Sequence, residues 1–156
     1  MAVNPIPDGY NSVTPYLIIK DAAAAIEFYK KALNAKELYR LGGPNGKIGH
    51  AEIKIGNCNI MLADENTENP EMKYFSPSTL GSSPVNFVLY VEDVDKAFKQ
   101  ALDAGGKLIQ PLELKFYGDK SGSFQDPFGY TWSINTHVED VPPEEVDRRA
   151  RELNRG

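Results

Sequence analysis

A chain of 156 residues with 41% hydrophobic side chains is long enough for one domain with a sizeable core, and no run approaches a membrane span of roughly 20 apolar residues. The net charge is −5, and the 17 Lys and Arg are scattered rather than gathered into a stripe, which argues against a nucleic-acid partner. The single cysteine, Cys58, excludes an intrachain disulfide and a thiolate metal cluster; with no basic-then-apolar leader at the start, a cytoplasmic protein with a buried core thiol is expected.

In chain order, residues 1–13 read as an N-terminal extension. Thr14 to Lys20 reads as a strand, and Asp21 is placed to cap a helix in which Ala25, Ile26, Tyr29 and Leu33 recur at helical spacing. Glu37 to Leu41 and Ile48 to Ile55 flank Gly42-Gly43-Pro44-Asn45-Gly46, a hairpin signal, and Gly56-Asn57 turns into a fourth strand from Cys58 to Ala63. Residues 14–63 therefore form a βαβββ module. Residues 64–84, rich in Pro, Ser, Asn and Glu, read as a long inter-module loop, either a binding loop or a spacer.

Residues 85–140 form a second module. It comprises a strand from Asn86 to Val91, a helix from Val94 to Ala104 stopped by Gly105-Gly106, a strand from Lys107 to Leu112, and strands near Gly122 to Gln125 and Tyr130 to Asn135. Tyr117 to Gly122 reads as a tight loop between strands. In the tail, residues 141–156, Pro sits at the start of a helix from Glu144 to Leu153 with a thin apolar stripe of Val146, Ala150 and Leu153, suited to packing on the body or on a second subunit.

The two modules repeat each other. Asp93 follows Asp21 at a shift of 72 (93 − 21), and the glycine-flanked stretch from Gly122 to Gly129 answers that from Gly49 to Gly56 at a shift of 73 (122 − 49). Two duplicated half-sheets facing each other enclose a cleft, so the site is expected between the halves. Alternation along each strand selects its lining, because one face must pack on the helices. Leu17, Ile19, Ala51, Ile53 and Ile55 suit the core, which turns Thr14, Tyr16, His50, Glu52 and Lys54 to the cleft. The same parity adds Asn59 and Met61, then Asn86, Val88 and Tyr90, then Ser123, Gln125, Thr131, Ser133 and Asn135; Trp132 falls on the core side.

His50 and Glu52 stand two apart on one strand, roughly 7 Å from each other. They suit a histidine base oriented by a carboxylate, two ligands of a relocated metal, or a simple hydrogen-bonded pair. Tyr16 and Tyr90 mirror each other across the repeat, as an aromatic clamp or as packing. His137 is expected just after the last strand, in a terminal hydrogen bond beside Glu139 and Asp140.

Laid out this way, residues 10 to 140 resemble the vicinal oxygen chelate superfamily of glyoxalase I, extradiol dioxygenases and bleomycin-resistance proteins. The resemblance rests on Ala24-Ala25-Ile26-Glu27-Phe28-Tyr29, Tyr90-Val91-Glu92-Asp93-Val94-Asp95 and Asp126-Pro127-Phe128-Gly129-Tyr130. His50-Ala51-Glu52-Ile53, Ile60-Met61-Leu62-Ala63-Asp64, Phe116-Tyr117-Gly118-Asp119 and Thr136-His137-Val138-Glu139-Asp140 are similar to its PhnB-like branch. The implied fold is α+β, two tandem βαβββ modules forming a cup-shaped mixed sheet, and the implied assembly is a homodimer.

The positions at which superfamily enzymes hold a divalent metal fall here on Thr14, Met61, Asn86 and Ser133, none an imidazole or carboxylate. A bound metal, and with it glyoxalase or dioxygenase chemistry, is therefore not expected, nor is any other cofactor. The leading expectation is a metal-independent binder of a small polar or aromatic molecule. Its expected contacts are Thr14, Tyr16, His50, Glu52 and Met61 from the first module with Asn86, Tyr90, Gln125 and Ser133 from the second. The alternatives are a lyase, isomerase or displaced-metal enzyme using His50 and Glu52, and a structural or regulatory dimer with a vestigial cup.

Overall fold

In the computed structural model, which describes residues 3–69, 71, 72 and 74–155, both modules fold as the periodicity predicts. The first contains β1 (Tyr16–Ile19), α1 (Ala22–Leu33), β2 (Lys36–Gly42), β3 (Ile48–Ile55) and β4 (Cys58–Asp64), with a single 3-10 turn at Pro44–Gly46 between β2 and β3. A four-residue helix, α2 (Pro77–Leu80), lies in the connector. The second module contains β5 (Asn86–Tyr90), α3 (Val94–Asp103), β6 (Lys107–Leu114), β7 (Asp119–Gln125) and β8 (Thr131–His137), and the tail is α4 (Pro143–Leu153). No helix among the described residues is long and apolar enough to cross a membrane.

Each module builds its own four-stranded mixed sheet, ordered β1-β4-β3-β2 in the first and β5-β8-β7-β6 in the second. In both, the strand before the helix pairs in parallel with the last strand, and the other pairings are antiparallel. Asp21 and Asp93 cap equivalent helices, accepting from the amides of Ala24 and Lys96 at 3.0 Å, a contact worth about 1 kcal/mol each.

The register refines the repeat. Tyr16 and Val88 each stand five residues before their capping aspartate and pair with Met61 and Ser133, respectively. The equivalent of Tyr90 is therefore Ile18, and the mirrored tyrosine pair expected from sequence is out of step by two residues on the same face. Ala51 lies opposite Leu62 where Gly122 lies opposite Ile134, so the counterpart of Gly122 is Ala51, not Gly49. Packing explains why both are small: a Cβ on Gly122 would stand 2.9 Å from the Phe98 ring, where α3 crosses β7.

Leu17, Ile19, Ala51, Ile53, Ile55, Phe124, Trp132 and Ile134 are all buried, as the strand parity requires, and they belong to one core shared by both modules. Helix α1 buries seven of its twelve residues because it packs on its own sheet and on α3. Its Tyr29 ring meets Trp132 of β8 with centroids 5.5 Å apart, and its hydroxyl donates to Asp126 at 2.6 Å. Asp126, 3% exposed, also accepts from Trp132 Nε1 at 3.0 Å and from the amides of Phe128 and Tyr130 at 2.9 Å. Tyr130 completes the joint by donating its hydroxyl to the Ile18 carbonyl at 2.9 Å.

Local details depart from the sequence reading. Strand β7 begins at Asp119, so the expected loop from Tyr117 to Gly122 contracts to a turn closed by Gly118 N–H donating to Lys115. Gly118 holds φ +100°, and a Cβ there would meet the Glu139 carbonyl at 2.1 Å. His137 ends β8 instead of following it. Cys58 is half-buried against the core rather than fully enclosed. Helix α4 buries no residue; Arg149 ties it to the body through Glu139 and the Phe116 carbonyl.

Because Asp126 serves four donors at the joint, Asp126→Ala is expected to destabilise the fold by about 3–5 kcal/mol, with Tyr29→Phe costing about 1–2 kcal/mol. Urea unfolding of the two variants checks both values, and equal losses would contradict the account.

Candidate functional site

The outward face of the first sheet gathers five of the nine predicted contacts. Tyr16 on β1, Met61 on β4 and Glu52 on β3 are successive cross-strand partners, and Tyr39 on β2 continues the row beyond Glu52. His50 stands two residues along β3 from Glu52 on the same face, and Thr14, just before β1, sends its hydroxyl to the Asn11 carbonyl. Alternation placed these side chains here; the core demands Ala51, Ile53 and Ile55, which leaves His50 and Glu52 no other direction.

A chain of hydrogen bonds runs across this face. Tyr16 Oη lies 3.0 Å from His50 Nδ1, His50 Nε2 lies 3.2 Å from Glu52 Oε1, and the Tyr10 hydroxyl donates to Glu52 Oε2. The Tyr10 bond, foremost, holds the Glu52 carboxyl below the usual carboxylate range, with His50 helping against partial burial. An ionised Glu52 only accepts, which assigns the Nε2 proton of a neutral His50 to it and leaves Nδ1 to accept from Tyr16. Burial, with Tyr74 nearby, raises the Tyr16 phenol, so it keeps its proton. The Tyr16 and Tyr39 rings flank His50 at centroid distances of 5.6 and 6.5 Å. Chemically this is an imidazole oriented by a carboxylate and facing a phenol, able to exchange hydrogen bonds or a proton with a bound molecule.

The remaining four predicted residues lie on the outward face of the second sheet. Asn86, Thr131 and Gln125 form one cross-strand row, and Val88, Ser133 and Ser123 the next. Tyr90 donates to Asp119 Oδ2 at 2.7 Å. Among the described residues no hydrogen bond joins this set to the first, and the modules meet through α1, α3 and the β7–β8 turn. Both faces stay open: Tyr16, Val88 and Tyr90 are 47%, 59% and 60% exposed. The single cavity expected to span both sets is not closed within one chain.

Sequence reasoning missed Tyr10 and the buried Asp119. Residues 3–13 do not trail away. The Tyr10 amide bonds the Pro7 carbonyl, Gly9 turns at φ +82°, and the segment crosses the first sheet's outward face over Asn59, which is 6% exposed. The Pro7-Asp8-Gly9-Tyr10 turn was the available signal. His137 does bond Asp140, at 2.8 Å, but also Asp119 at 2.7 Å; these two carboxylates raise its pKa, the Asp119 bond most.

The connector also approaches the site. Glu65 accepts from the Ser76 amide and the Thr79 hydroxyl, and Phe75, Pro77 and Leu80 join Tyr16, Phe87 and Tyr130 around an apolar groove of ≈ 320 Å³. The superfamily's metal positions do not fit a metal. Thr14, Met61, Asn86 and Ser133 supply hydroxyls, an amide and a thioether, and Met61 faces Glu52 in a row with no imidazole partner opposite. No group of three or more His, Cys, Asp or Glu placed to share an ion occurs among the described residues.

The sequence profile of the Glyoxalase/Bleomycin resistance protein/Dioxygenase superfamily matches residues 9–134, and the chain belongs to that superfamily. Its relatives include the uncharacterized protein Mb0911c of Mycobacterium bovis, 40% identical over 146 residues that span 94% of this chain and 93% of that protein. The uncharacterized protein Rv0887c of Mycobacterium tuberculosis is also 40% identical, over 94% of this chain and 84% of its own. Among solved structures, TioX from Micromonospora sp. ML1 matches with a TM-score of 0.65 at 23% identity, over 82% of this chain and 99% of that one. A PhnB protein from Bacillus cereus matches with a TM-score of 0.61 at 19% identity, over 81% and 99% of the two chains. Both share the fold.

Linkage fixes the pH behaviour of the Tyr10–Glu52 contact. Glu52 is more acidic folded than unfolded, so its contribution to stability is present above its unfolded value near 4.5 and is lost as pH falls through the folded one. Tyr10 is pushed up to about 12, by burial first and then by Glu52, so its share is present below about 10 and lost as pH rises toward 12. Carbon-detected NMR titration of the Glu52 carboxyl and an ultraviolet titration of Tyr10→Phe against the parent test both, and a Glu52 midpoint at or above 4.5 would contradict the geometry.

Proposed function

We propose that this protein is a metal-independent small-molecule binder of the PhnB-like branch, holding its ligand on the outward face of the first module against the second module of another copy. The observation that carries this reading is the Tyr16–His50–Glu52–Tyr10 chain, an ordered polar network beside exposed aromatic rings, at a face where no three metal-ligating side chains converge among the described residues. Similarity to the Bacillus cereus PhnB protein supports the branch. Tyr16, Tyr39 and Leu41 on one face, and Val88 and Tyr90 on the other, are large apolar side chains 47–60% exposed, the kind of surface a homodimer would cover. Such a dimer would bring Asn86, Tyr90, Gln125 and Ser133 opposite Thr14, Tyr16, His50, Glu52 and Met61.

A second reading, an enzyme using His50 and Glu52, draws on one further observation. With Nε2 tied to Glu52, Nδ1 faces the Tyr16 hydroxyl, so a substrate displacing that hydroxyl would meet a base already in the correct tautomer. Calorimetry and a turnover assay on Glu52→Gln and His50→Ala separate the two. A binder loses affinity, by roughly tenfold or more, with little loss of stability; an enzyme loses turnover more than affinity.

Native mass spectrometry with elemental analysis of freshly purified protein is expected to show a dimer carrying no stoichiometric metal. Added zinc, nickel or iron should leave the melting temperature unchanged, since an ion bound by the folded state must stabilise it. A micromolar metal shift abolished by His50→Ala would instead favour displaced ligation.

A further inference from the structure

The tautomer of His50 dictates what it can receive. Its Nε2 proton is committed to the ionised Glu52, whose other oxygen Tyr10 holds, so Nδ1 carries a lone pair and accepts from Tyr16 at 3.0 Å. Only a hydrogen-bond donor can take the place of the Tyr16 hydroxyl there; a carbonyl or carboxylate would set lone pair against lone pair. Tyr16 itself is replaceable. It is 47% exposed on β1, an edge strand, and among the described residues its hydroxyl bonds His50 alone, so a displaced phenol finds water.

Tyr16 also lines the apolar groove of ≈ 320 Å³ bounded by β1, the connector and the start of β5, a volume within the range of small-molecule pockets. One wall is fixed by aromatic packing, with the Phe87 ring centroid 4.7 Å from Trp132 and 5.7 Å from Tyr130. The other wall is α2, which Glu65 holds through the Ser76 amide and the Thr79 hydroxyl. Among the described residues no charged side chain lines the groove, so an ionised ligand group would lose its hydration there with no partner in return. We propose that the ligand is a neutral aromatic molecule carrying a hydroxyl or N–H, that its ring system fills the groove between Phe75, Leu80 and Phe87, and that its donor replaces the Tyr16 hydroxyl on His50 Nδ1. Tyr16, common to the groove and the hydrogen-bond chain, is the side chain that yields, while Glu52 and Tyr10 are positioning residues that hold His50 as an acceptor. This inference rests on the reading of the first module's face as a ligand site and names the ligand class and the wall that takes its apolar body.

2-Naphthol is the probe, with 2-methoxynaphthalene and naphthalene as donor-free controls. By fluorescence titration of the full-length chain, 2-naphthol is expected to bind roughly tenfold tighter than either control, because a ligand that displaces Tyr16 without a donor leaves Nδ1 unpaired. Tyr16→Phe keeps the ring and removes the competing hydroxyl, so it should tighten 2-naphthol by up to about tenfold. Leu80→Gln, at an exposed position, should weaken every probe and keep the preference for 2-naphthol. Nitrogen NMR of His50 should show Nε2 protonated and Nδ1 bare, in the free protein and with 2-naphthol bound. Equal affinity for 2-naphthol and the controls, or a protonated Nδ1, overturns the donor assignment. Binding of 2-naphthol to Tyr16→Phe no tighter than to the parent overturns the displacement, and unchanged binding to Leu80→Gln overturns the groove. Failure of all the probes to bind the folded parent overturns this ligand class; loss of a co-purified ligand in Glu52→Gln would still uphold the broader reading in that case.

Discussion

The buried carboxylate of Asp126 is the point on which the two modules depend. It belongs to the turn between β7 and β8, yet one of its oxygens is shared by Tyr29 of the first module and Trp132 of the second, while the other caps its own turn. Burial raises its pKa in spite of those four donors, so ionising it opposes folding; its contribution is fully present only below its unfolded value and diminishes as pH rises through the folded one. The geometry nonetheless needs both oxygens as acceptors, and the specificity gained is a fixed angle between α1 and the second sheet. Gln100 reinforces it from the other side, donating to the Lys31 carbonyl and to Asn34 at the end of α1.

That fixed joint decides where the functional faces can be. Once α1 is committed to both its own sheet and the second module, the helix-facing sides of both sheets are consumed by one core, and the polar sides are left to solvent. In the reading proposed above, a ligand site built from both polar faces would use a second copy, and the exposed Tyr16, Val88 and Tyr90 side chains are the surface such a contact would cover.

Features governed by short-range rules were legible in the sequence. Asp21 and Asp93 announced their helices, Gly42 to Gly46 its hairpin, and strict alternation along Ala51, Ile53 and Ile55 fixed the face of His50 and Glu52 without any tertiary information. What was not legible depends on contacts distant in sequence. Tyr10 and Glu52 are 42 positions apart and Tyr29 and Asp126 are 97 apart, and no periodicity links either pair. The internal alignment slipped for a related reason. The requirement common to both crossings is a small residue beneath a helix, met by Ala51 in one module and Gly122 in the other, so glycine does not align with glycine.

Corrected in this way, the repeat shows how one half specialised. By register Glu52 corresponds to Ser123 and His50 to Ser121, since Glu52 faces Met61 as Ser123 faces Ser133. The first module thus carries an imidazole and a carboxylate where the second carries two serines, each 6% exposed, and the second module's own phenol, carboxylate and imidazole, Tyr90, Asp119 and His137, are bonded to one another beside them. Small side chains leave volume, and ionisable ones give direction. In the dimer proposed above, two copies meeting face to face would set this hydrogen-bonding wall against the recessed serines of the second module. Two identical charged walls would instead repel one another across the same gap, so the divergence of the halves is what would make the shared face a site.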